Sequence, residues 1–168
     1  NDDQWQTINE NQLDTAIPYA YKLPSGITIA LFFYNGQISR EVAFNGLLNS
    51  GKLFADRLIV ATRDTEQPQL IHIATDGESY GHHHYRGDMA LASCIDYLKK
   101  NKSVTLTNYG EFLAKFPPQY EIQIHENSSW SCVHGVERWR SNCGCSDGGN
   151  PGFHQQWRAP LRNALNWL

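Results

Sequence analysis

Two acids, Asp76 and Glu78, close an apolar run and are followed by three consecutive histidines in "IATDGESYGHHHYRGDMALA", residues 73–92. An acid emerging from an apolar strand end is partly desolvated, which favours its protonated form and suits general-acid chemistry. Glu78, two residues on, adds a second charge that would reinforce or orient such a group. The plainer reading has Asp76 capping the following helix while Glu78 bonds to loop amides. His82, His83 and His84 cannot all face one point, because neighbours in a strand or a helix diverge. A metal reading would join His82 or His84 to Asp76. It lacks the paired histidines one helical turn apart, with an intervening Glu, that make such motifs informative. Exposed loop imidazoles, one of them bonded to an acid, are the plainer alternative.

A second group is Cys132, His134, Cys143 and Cys145, with the spacing C-x-H-x8-C-x-C. Four soft or borderline donors suffice for tetrahedral zinc, and Gly144 would let the chain turn between the last two cysteines. The pattern departs from paired C-x2-C knuckles. Free thiols are therefore the default, with structural zinc and a disulfide as the alternatives. No cofactor is expected beyond that zinc alternative.

In a third group, Trp130, Trp139 and Trp157 alternate with Arg138, Arg140 and Arg158. Indole faces stack on the apolar faces of sugar rings, and Arg forks bind hydroxyls, so this chemistry suits a carbohydrate. Against it stands the commoner fate of tryptophan, which is to fill a core while arginines pair with acids such as Glu137.

The elements that must position these residues alternate along the chain. "ITIALFFYN", 27–35, is β-branched, aromatic and almost continuously apolar, as in a strand buried on both faces. "SREVAFNGLL" and "SGKLFADRLIVAT" read as helices, and "QLIHIATDG", 69–77, as a second buried strand. Residues 87–100 read as a helix with Leu91, Cys94, Ile95 and Leu98 on one face and Lys99 and Lys100 at its end. "SVTLTN" reads as a third strand, "YGEFLAKF" as a short helix stopped by Pro117 and Pro118, and "YEIQIH" as a fourth strand. In the closing helix, Pro160 sits in the first turn and Leu161, Ala164, Leu165 and Leu168 form an apolar stripe.

Alternation of strand and helix predicts an α/β fold: a partial (β/α)-barrel or a layered parallel sheet with flanking helices. It carries one long Trp/Arg/Cys-rich loop at 126–152. Residues 1–17 form a polar lead-in and 18–168 a single α/β domain, a fragment of something larger. Ligands of parallel sheets bind beyond the carboxyl ends of the strands, and Asp76 is placed at that edge.

A net charge of −3 without a Lys/Arg cluster leaves no electrostatic footprint for nucleic acid. No apolar run approaches the roughly 20 residues of a membrane helix, and the amino end lacks the pattern of a signal peptide. With its four cysteines not spaced as a disulfide framework, the chain reads as soluble, reduced and cytoplasmic.

The stretch 73–92 resembles the aspartate-bearing region of family 57 glycoside hydrolases, and "FFYNGQISREVAF" is similar to the segment that precedes it there. "SSWSCVHGVERWRSNCGC" with "GFHQQWRAPLRNALNWL" resembles a bacterial subgroup of family 57-related proteins. The resemblance spans roughly residues 18–168. It implies an incomplete barrel acting on α-glucans with retention of configuration. Asp76 takes the place of the general acid/base, and Glu78 and His82, with His84 beside them, lie where substrate is held. Trp130, His134, Arg138 and Trp139 would contact sugar from the loop.

One departure follows from the same comparison: the family's nucleophile is a Glu on an earlier strand, in motifs this chain does not contain. Retention needs two carboxyls about 5–5.5 Å apart, and Asp76 and Glu78 on one strand end diverge. The isolated chain is therefore expected to be inactive, as the later part of a carbohydrate-active enzyme of which an oligo- or polysaccharide is the partner. The alternative is a non-catalytic sugar-binding or zinc-holding domain. Apolar edges left by an incomplete barrel would favour a homodimer.

Overall fold

Local spacing and caps place the helices. In the computed structural model, which describes residues 5–9, 11–146 and 148–168, α1 spans Gly36–Phe44 and is capped by Asn35, whose side chain accepts the Ile38 N–H at 3.0 Å. Ile38 and Val42, one turn apart, are fully buried. Ser50 caps α2, Gly51–Val60, by accepting the Leu53 N–H, and this helix buries Phe54 and Ala55. Helix α3, Gly87–Lys100, buries Cys94 and Leu98 and ends on Lys99 and Lys100, where cations suit the helix dipole. Helix α4, Tyr109–Lys115, is capped by Asn108 and stops before Pro117 and Pro118.

The buried faces meet in one core of Ile38, Val42, Leu48, Phe54, Ala55, Cys94 and Leu98. Full burial of a large apolar side chain contributes roughly 1.5–3 kcal/mol, so α1, α2 and α3 are bound to one another chiefly through these residues. This core lies in the first of two compact units, Asn1–Ile122; the second is Gln123–Leu168. Of the lead-in 1–17, residues 1–4 and 10 lie outside the described residues. Asp14 accepts the Ala16 N–H at 3.0 Å and pairs with Arg63 at 2.7 Å.

The sheet departs from the sequence expectation. Strand β1, Tyr19–Lys22, pairs antiparallel with β2, Thr28–Leu31, and parallel with the short β3, Tyr120–Glu121, in the order β2-β1-β3. The arrangement is α/β, with a mixed three-stranded sheet and flanking helices. Among the described residues its strands do not close a barrel. The expected doubly buried strand at 27–35 is corrected to an edge strand in which Ile29 is 40% exposed. A continuous apolar run anticipates layers on both faces, and the edge of this small sheet has no such cover.

The expected strands at 69–77 and 103–108 form no ladder: 69–76 and 104–108 carry no regular structure, Gly77 opens a 3-10 turn and Ser103 lies in a turn. The first of these segments is held by separate bonds: Leu70 N–H donates to Ala16 O at 2.8 Å, and His72 O accepts the Asn35 N–H at 2.9 Å. Ile71, Ile73 and Val104 pack against the helical core. Apolar alternation thus marked residues that bury, while regular pairing needs neighbouring strands that local sequence does not supply.

In the second unit α5, Glu137–Arg140, packs on α6, Arg158–Trp167. The stripe Leu161, Ala164, Leu165 and Leu168 is exposed rather than buried. A stripe is buried only where another layer covers it, and α5 is a single turn. Only Cys132, Gly135 and Gln155 are buried among the described residues of this unit. Units this small with little apolar core are commonly stabilised by disulfides or a structural metal.

Candidate metal centre

The loop of this unit gathers metal-ligating side chains. Cys132 and His134 sit in consecutive turns, where Cys132 O accepts the Gly135 N–H at 2.9 Å and Asn127 O accepts the Val136 N–H at 2.9 Å. Gly135 has φ of 62° and lies so close to Asn127 O that any Cβ would collide with it. Cys143 and Cys145 return on the far side of α5, and Gly144 between them has φ of 81°, the left-handed turn anticipated from its type.

These turns bring four donors together. The Cys132, Cys143 and Cys145 Sγ atoms and one His134 nitrogen all lie within 4.8 Å of one another. Cys132 Sγ is 3.9 Å from Cys143 Sγ and 3.4 Å from Cys145 Sγ. His134 Nδ1 is 3.6 Å from Cys132 Sγ and 3.3 Å from Cys145 Sγ. Zinc bonds of about 2.3 Å to sulfur and about 2.0–2.1 Å to nitrogen imply tetrahedral edges of about 3.8 Å and about 3.6 Å. The cluster can coordinate a metal ion, and Cys3His is among the donor sets that suit zinc.

Gln155 and Arg158 surround the cluster. Gln155 is buried; its side-chain amide donates to Cys145 O, and its Oε1 accepts from Arg158 Nη1 at 3.1 Å and lies 3.6 Å from Cys143 Sγ. Arg158 Nη1 also approaches Cys143 Sγ at 3.8 Å. The backbone amide of Cys145, helped by neighbouring thiols and by Arg158, holds the Cys143 thiol below the usual range. Hydrogen bonding to Cys132 pushes Cys145 up to about 11. A divalent cation bound by these residues would take thiolate sulfur and displace the thiol protons. Arg158 carries a sequence signal through the Trp/Arg alternation. Gln155 carries none, since only the fold brings it beneath the cysteines.

The sequence-derived candidates fall into both units. Asp76, Glu78, His82 and His84 belong to the first, and Trp130, His134, Arg138 and Trp139 to the second. Asp76 is exposed, not desolvated, and opens a single 3-10 turn, Gly77–Ser79, without a side-chain cap bond. Glu78 is exposed too, and it is its carbonyl, not its carboxylate, that accepts the His82 and His83 N–H groups at 3.2 and 2.9 Å. The His82 and His83 rings stand edge to face, 4.8 Å apart, while the His84 ring reaches Ala43 O at 2.9 Å. No metal cluster forms around Asp76 among the described residues. Trp130 is 96% exposed, so the core-filling alternative fails there. His134 turns Nδ1 to the sulfurs and stands with the cysteines, whereas Arg138 and Trp139 line a groove beside α6.

Comparison with known families places the first unit. The model of the family described as Glycosyl hydrolase family 57 matches residues 3–125, and the chain belongs to that family. The match ends before the Cys/His cluster. No curated protein and no solved structure matches the chain. No helix among the described residues is long and apolar enough to cross a membrane.

Proposed function

We propose that this chain is a family 57 region joined to a structural zinc-holding module, with Cys132, His134, Cys143 and Cys145 as the ligands. The supporting observation is the convergence of three Sγ atoms and one imidazole nitrogen within 4.8 Å of one another, four of their separations lying at 3.3–3.9 Å. The metal takes over the role of a core in a unit that buries almost no apolar side chain. Gln155 and Arg158, bonded to the cluster from the start of α6, tie that helix to the loop. Purification under reducing conditions followed by elemental analysis tests the reading. About one zinc per chain is expected, lost in Cys143→Ser and Cys145→Ser and retained in His82→Ala and Asp76→Asn. Zinc that follows His82 or Asp76 instead, or no bound zinc, overturns it.

Family membership over 3–125 favours a second, compatible reading for a longer protein that contains this region. In it Asp76 is the general acid/base for an α-glucosidic bond, Glu78, His82 and His84 hold the sugar nearby, and the second carboxyl comes from outside this chain. Exposure leaves the Asp76 carboxylate free to meet a glycosidic oxygen. Asp76→Asn in that longer protein is expected to abolish turnover with the fold intact; undiminished turnover rejects the role.

A further inference from the structure

We infer that the groove formed by α5 and α6 is a binding site for an anionic saccharide, a pyranose carrying a phosphate or a carboxylate. The groove encloses ≈ 420 Å³ and is lined by Trp139 and Trp157, by Arg138, Arg158 and Arg162, and by Leu161 and Leu165. This volume lies within the about 300–1,000 Å³ of small-molecule sites and suits a short saccharide.

Its composition specifies the ligand. Two half-exposed indoles offer flat apolar faces on which the C–H face of a sugar ring can stack. Three arginines line the same groove, and no carboxylate lines it among the described residues. Arg140, the other arginine of the unit, instead pairs with Glu137 at 2.5 Å, and among the described residues no acid pairs with the arginines of the groove. Arg162 has no hydrogen-bond or ion-pair partner among the described residues. Arg158 is held in place by Gln155 Oε1 at 3.1 Å and lies over the Trp157 ring, with 5.8 Å from Cζ to the ring centroid. Such forks bind phosphate and carboxylate oxygens in pairs, and unpaired cations at a partly enclosed surface attract an anion. The amino end of α6 adds its dipole with the same sign.

Arginine with tryptophan also suits single-stranded nucleic acid. The groove is short, however, and the chain's net charge of −3 provides no extended track for a phosphate backbone. The anionic saccharide is the occupant that uses both the stacking faces and a localised positive charge.

Titration calorimetry on the zinc-loaded full chain tests this, with glucose 6-phosphate, glucuronate, maltose, inorganic phosphate and a short oligothymidylate as probes. At least one charged sugar is expected to bind about tenfold or more tightly than maltose, and the stronger of the two identifies the anion. Arg162→Gln, with zinc content and helical signal unchanged, should remove that preference, and Trp139→Ala should weaken charged and neutral sugars alike. Equal affinity for maltose and both charged sugars overturns the proposal. So does inorganic phosphate binding as tightly as the sugar phosphate, or oligothymidylate binding more tightly than either charged sugar. Zinc content is read separately, so failure here is distinguishable from failure of the metal assignment.

Discussion

Four cysteines in one chain have two different fates, set by their surroundings. Cys94 lies in the apolar core, where burial alone pushes its thiol up to about 11. A thiol that does not ionise is a poor nucleophile. Alkylation with iodoacetamide at pH 8 is expected to leave Cys94 unmodified in the folded protein and to reach it only on denaturation. Cys132, Cys143 and Cys145 should resist the reagent while metal is bound and react after chelation. Peptide mass mapping with and without chelator checks both, and alkylation of Cys94 under native conditions would contradict the burial argument. The histidine run carries a parallel lesson: of three adjacent imidazoles, only His84 bonds to the neighbouring helix, because its ring alone reaches the Ala43 carbonyl.

Among the elements, α1 and α2 are joined by more than their apolar faces. Arg57 forks onto Glu41, with Nε to Oε2 at 2.7 Å and Nη2 to Oε1 at 3.1 Å, and both side chains are mostly shielded from solvent. The Arg57 hydrogen bond holds the Glu41 carboxyl below the usual carboxylate range. A depressed carboxyl contributes stability that is present above its unfolded value and is lost as pH falls through its folded one. Glu41→Gln should therefore cost about 0.5–1 kcal/mol at neutral pH. The difference from wild type should shrink toward zero as pH drops below Glu41's depressed range, as measured by urea midpoints across pH. A constant difference would locate the effect in packing. Asn35 acts at the same scale, capping α1 while its N–H bonds the carbonyl of His72. Asn35→Ala is expected to cost about 1 kcal/mol in thermal unfolding, since it strips the Ile38 N–H of its acceptor.

Over the whole molecule, the two units rest on different physics. The first has an apolar core in which Phe54 is a large, fully buried side chain. Phe54→Ala should cost about 3–5 kcal/mol, read from denaturant midpoints. The second has few buried residues, and its order is expected to rest on the metal. Hydrogen exchange after chelation should show amide protection falling across 132–145 and the start of α6, and restored on adding zinc. Protection there that is indifferent to chelator would mean that hydrogen bonds and α5–α6 packing suffice.

The sequence by itself determined the helices and named the donors. Residues 51–60, 87–100 and 109–115 are helical because caps, apolar spacing and terminal prolines act over a few residues, and that information is local. The C-x-H-x8-C-x-C spacing and the family resemblance were visible for the same reason. Only the tertiary structure decided what depends on distant partners. Strand β1 was not read as an element at all, and 69–77 and 103–108 read as strands, because a ladder exists only when another segment supplies it. Tertiary structure also drew together three sulfurs and one imidazole, for which free thiols were the default reading and zinc or a disulfide the alternatives, to within 4.8 Å of one another, since spacing along a chain says which donors exist and folding alone says whether they converge.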